Sequence, residues 1–128
     1  MRPQDLRIGN LLQDRISETF LKVVQLTEKD IITYVIDRSK YPLEKGWSLE
    51  PIPLTKQLMF NLGFVILPSE SDKYILFYKS CEQENKTFLV ECYSDEFYTY
   101  SSFRLRYVHQ IQNIYYLLIG KELTLKAS

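Results

Sequence analysis

Few residues in this chain can carry chemistry. His109 is the only histidine and Cys81 and Cys92 are the only cysteines in 128 residues. Structural zinc takes four Cys or His ligands, and these three include no Cys-x-x-Cys pair, so no metal site is expected. Hydrolysis through His109 would need a Ser or Cys nucleophile, and neither spacing nor a nucleophile-elbow motif identifies one. The carboxylate pairs Glu82 with Glu84 and Asp95 with Glu96 have the residue types for acid–base work. Both fall in polar turn segments, where solvated charge is the simpler reading. The glycines stand at 9, 46, 63 and 120, far too sparse for a glycine-rich phosphate cradle. A nucleotide would therefore have to be held by arginines on its phosphate and aromatic rings on its base. No cofactor is expected.

Two clusters suit such binding. The first is Tyr98, Tyr100, Arg104, Arg106 and Tyr107, where rings and guanidinium groups lie close in sequence and Arg104 and Arg106 should project from one strand face. The second is the segment Val108 to Ile119, twelve residues without a Lys, Arg, Asp or Glu. At 100° per residue, Val108, Ile111, Ile114, Tyr115 and Leu118 form an apolar face, while His109, Gln112, Asn113 and Tyr116 line the opposite side. A polar yet uncharged stripe suits a covered surface: an internal hydrogen-bond network, a ligand or an interface. The candidate binding residues are accordingly Arg104, Arg106, Tyr107, His109, Gln112, Asn113 and Tyr116. The lone tryptophan, Trp47, joins them because it lies in a long segment without period, Asp37 to Pro53.

Sparse punctuation sets the elements that must position these residues. Ile8 to Leu12, Phe20 to Leu26 and Ile31 to Ile36 read as an antiparallel three-stranded meander, separated by short polar breaks. Thr55 can cap a short helix that Gly63 ends. Strands follow at Phe64 to Leu67, Tyr74 to Tyr78, Thr87 to Tyr93 and from Phe97 onward, forming a second meander. The helix Val108 to Ile119 then packs on the sheet, and Leu123 to Leu125 can add an edge strand. The fold class is α+β: an antiparallel sheet or small barrel, a short central helix, a second meander and a C-terminal helix, in a single domain over 1–128.

Sixteen basic residues balance sixteen acidic ones. Zero net charge removes the attraction on which non-specific nucleic-acid binding depends. No apolar run reaches the roughly 18 residues of a membrane span, and the first residues lack the apolar stretch of a secretion signal. A cytoplasmic protein is expected. An uncharged helix and 14% aromatic residues suggest a homo-oligomer.

The segments Asp5-Leu6-Arg7-Ile8-Gly9-Asn10, Pro51-Ile52-Pro53-Leu54-Thr55 and Tyr107-Val108-His109-Gln110-Ile111-Gln112-Asn113-Ile114-Tyr115-Tyr116 form one pattern. It resembles a group of small proteins of Bacteroidota, their prophages and gut phages. That resemblance implies no particular activity, but it places the chain in a bacterial host cytoplasm. Mobile elements favour compact proteins that neutralise a host component. The leading expectation is therefore a non-catalytic, counter-defence binding protein that sequesters a small anionic, nucleotide-type signal. The alternatives are a protein–protein inhibitor or accessory module acting on a host protein, and a hydrolase using His109.

Overall fold

A computed structural model describes residues 3–29, 31–35, 48–68, 73–81, 86–93 and 97–125. Trp47 and the carboxylate pairs Glu82 with Glu84 and Asp95 with Glu96 lie outside the described residues. The backbone groups into two compact units, Met1–Ile52 and Pro53–Ser128.

The first unit is an antiparallel sheet of β1 (Leu11–Asp14), β2 (Phe20–Leu26), β3 (Ile31–Val35) and β4 (Leu49–Pro51), in the order β3-β2-β1-β4. It is open and does not close into a barrel. The three-stranded meander is present, but a fourth strand from within the expected loop pairs with β1, setting Leu12 opposite Pro51 and Gln13 opposite Glu50. Three residues ending in proline have no readable period, and proline is tolerated there because β4 is an edge strand. Gln13 Nε2 reinforces the register by donating to Glu50 Oε1 at 2.8 Å. The first strand also starts later than its apolar residues suggest. Ile8 is exposed in a turn at Gly9, whose φ is +99°, and Asn10 Oδ1 accepts from the Arg7 N–H at 2.6 Å. Leu6, Leu12 and Val23 form the core, with Leu26, Ile31 and Leu49 against them.

The second unit begins with α1 (Lys56–Asn61) and continues as a five-stranded antiparallel sheet of β5 (Val65–Leu67), β6 (Ile75–Cys81), β7 (Lys86–Tyr93), β8 (Phe97–Tyr100) and β9 (Phe103–Leu105). The strands neighbour one another in chain order. Thr55 Oγ1 accepts from the Leu58 N–H at 3.1 Å, as a cap should, and Gly63 turns the chain out of the helix with φ +95°. Lys79 Nζ donates to the Leu62 carbonyl just past that end, at 3.1 Å. Between β8 and β9 the two turn residues Ser101 and Ser102 both have positive φ, which gives the hairpin the twist its strands need.

The last helix, α2 (Val108–Ile119), ends at Gly120 in the left-handed conformation. Its start is fixed by backbone contacts with the Pro53–Leu54 segment: Pro53 bridges Tyr107 and the Leu54 N–H donates to the Arg106 carbonyl at 2.9 Å. Both helices pack on one sheet face. Phe60 of α1 meets Phe77 edge-on at 5.7 Å, and Tyr115 of α2 meets Phe88 at 5.2 Å. Alternation on β7 points Phe88, Val90 and Cys92 into this core. The expected edge strand at Leu123 to Leu125 does not form. The Leu123 carbonyl instead accepts from Gln112 Nε2 at 3.0 Å, which ties the chain to the helix rather than to a strand.

Candidate functional site

The face of the five-stranded sheet turned away from its helices carries large apolar side chains where an ordinary solvent face would carry polar ones. The pairing aligns Val65, Tyr78 and Leu89 in one cross-strand row, and Leu67, Leu76, Glu91, Thr99 and Arg104 in the next. A third row is aromatic: Tyr74 and Tyr93 lie 5.6 Å apart, and Tyr93 meets Phe97 at 6.2 Å. Val65, Leu89, Tyr93 and Phe97 are exposed.

Only two charges interrupt these rows. The Arg104 guanidinium lies over the Phe97 ring, 3.6 Å from its centroid. Stacking on a ring uses none of the in-plane N–H donors, and among the described residues the Arg104 side chain makes no hydrogen bond or ion pair. Glu91 accepts from the Tyr93 hydroxyl at 2.5 Å. That hydrogen bond raises the Tyr93 pKa above the ordinary phenol value, so the ring stays neutral at physiological pH.

The residues singled out from the sequence do not converge on one site. Arg104 lies on this sheet face. Arg106 falls one residue past the end of β9, so the two arginines do not share a strand face as expected; the Arg106 N–H is taken by Gln110 Oε1 at 2.7 Å, which also accepts from the Tyr107 N–H at 3.1 Å. The Tyr107 ring lies parallel to the His109 imidazole at 5.8 Å, and His109 is buried. Gln112 is wholly buried, Asn113 half-buried and Tyr116 exposed.

The expected uncharged stripe is therefore divided. The covered face of α2 is Val108, His109, Ile111, Gln112, Tyr115 and Ile119, while Leu117 is 81% exposed and Leu118 is also exposed. Two of the four polar residues, His109 and Gln112, are buried, and the chain after Gly120 offers Gln112 a carbonyl. No family model, curated protein or solved structure matches the chain.

The aromatic row was not anticipated, because bringing Tyr93 beside Phe97 requires the β7–β8 pairing. A signal was present nonetheless: strict alternation over Lys86–Tyr93 puts Leu89 and Tyr93 on the side that should be polar. Among the described residues no cluster of His, Cys, Asp and Glu has the makings of a metal site, and Cys81 and Cys92 are buried.

Proposed function

We propose that the protein acts by binding rather than by catalysis, and that the outer face of its second sheet docks an apolar surface of a partner protein bearing a carboxylate for Arg104. The observation that carries this reading is the row of half-buried Tyr74 and exposed Tyr93 and Phe97, closed by a guanidinium over its last ring. The face is an open sheet surface rather than a cleft, and interface centres are rich in Tyr, Phe and Arg and poor in Lys and Glu. Contiguous apolar patches of this kind are seldom left uncovered on a monomer. The burial of His109, the chain's one imidazole, fits a structural role better than a hydrolytic one. In a phage or mobile element, such a module would inhibit or assist a host protein.

A second reading rests on the same arginine. Its N–H edge, which no other described residue takes, also suits a nucleotide-type anion beside the stacked rings, phosphate on Arg104 and base on Tyr93, as in a sponge for an immune signal. Parallel affinity capture from a bacterial lysate separates the two. A protein retained by the wild-type chain and reduced at least tenfold by both Leu89→Asp and Arg104→Ala supports the docking face. Equal retention by folded variants overturns it. A phosphorylated small molecule released on denaturing the wild type, but not Arg104→Ala, establishes the second reading instead. Where the partner is a second copy, light scattering gives a dimer mass that Leu89→Asp reduces to the monomer.

A further inference from the structure

On the opposite, helix-bearing side of the same sheet, a groove of about 320 Å³ opens between the start of β7, the end of β8 and the last turn of α2. That volume lies at the lower end of small-molecule sites, which are mostly apolar with a few placed polar groups. The floor is the pair Phe88 and Tyr100, stacked at 4.5 Å with planes 5° apart. Phe88 is held in turn by edge contacts with Phe64 at 6.0 Å and Tyr115 at 5.2 Å, so the floor is rigid. Leu118 and Ile119 form the wall. The cross-strand partner of Tyr100, Phe103, is 68% exposed.

Among the described lining residues the cation is Lys86. Lys86 Nζ donates to the Leu118 carbonyl at 3.2 Å, which fixes the ammonium at the rim and uses one of its three N–H donors. Among the described residues it has no further partner. Among the described residues the lining includes no carboxylate.

We infer that this groove binds a small, flat, apolar molecule carrying a single carboxylate. The ring system lies against Tyr100, Leu118 and Ile119, and the carboxylate accepts the remaining Lys86 donors. The site is independent of the outer sheet face and does not rest on the docking reading.

The probe is 2-naphthoate, titrated calorimetrically into the full chain, with 2-naphthylmethanol as the uncharged control. The wild type should bind the acid at least tenfold more tightly than the alcohol. Lys86→Met should remove that difference, Lys86→Arg should keep most of it, and Arg104→Ala should leave it unchanged. Leu118→Asp, an exposed position, should weaken the acid further by placing a carboxylate in the wall. Failure of 2-naphthoate to bind at millimolar concentration overturns the inference, as does undiminished binding to a folded Lys86→Met variant. Loss of binding in Arg104→Ala would assign the acid to the other face and overturn it equally.

Discussion

Asp14 shows what one buried carboxylate does for a connection. Its Oδ2 accepts from the Ser17 N–H and hydroxyl, each at 2.8 Å, and its Oδ1 accepts from the Ser48 N–H at 2.8 Å. One side chain thus closes the turn between β1 and β2 and holds the residue that leads into β4. Donation from the Ser17 backbone, then from its hydroxyl, lowers the Asp14 pKa below the ordinary carboxylate value, outweighing burial. A depressed folded-state pKa means stability that is present above the unfolded value of about 3.9 and lost as pH falls through the folded value. Asp14→Asn should therefore melt below the wild type at pH 7, and the gap should narrow as pH drops below about 4. A gap independent of pH would show that the charge plays no part. None of this was legible from composition, because Ser48 is distant in sequence and its N–H reaches Asp14 only through the pairing of β4 with β1.

At the scale of elements, α2 separates what a helical wheel can say from what it cannot. Its limits, Val108 and Ile119, follow from the run itself and from Gly120, whose φ of +81° favours glycine. A Cβ at Gly120 would meet nothing within 4 Å, so Gly120→Ala should cost only the left-handed conformation, ~1 kcal/mol in urea unfolding, and Gly120→Asn less. The orientation of the polar residues is another matter. Gln112 donates to the Leu123 carbonyl from a fully buried position, so Gln112→Leu leaves that carbonyl without its donor. The expected loss is ~1 to 3 kcal/mol by the same measurement. A loss below ~0.5 kcal/mol would show that the bond contributes little beyond what water gives in the unfolded chain. The sequence named Gln112 as special for the right physical reason, that a covered polar position avoids charge, but placed it opposite the apolar face instead of within it.

At the scale of the molecule, stability in the second unit should be graded by position in the sheet. β6 and β7 face each other over seven paired positions, and β7 is paired with β8 on its other side, whereas β5 and β9 are three-residue edges. Amides of β7 should accordingly exchange with solvent most slowly, and those of β5 and β9 fastest, in native-state hydrogen exchange. Uniform protection across the five strands would mean that the sheet opens only as a whole.

The sequence alone determined the α+β class, the two antiparallel meanders, the extents of β2 and α2, and the residues that start and end the short helix, Thr55 and Gly63. Each of these rests on local physics: period-two or helical spacing, a capping hydroxyl, a glycine free to adopt positive φ. Tertiary structure alone decided the strand β4, the inward turn of His109 and Gln112, the stacking of Arg104 on Phe97 and the groove beside Lys86. Those features depend on partners distant in sequence. A three-residue strand has too few side chains to show a period, and Gln112 is buried where the returning chain supplies the carbonyl for its hydrogen bond.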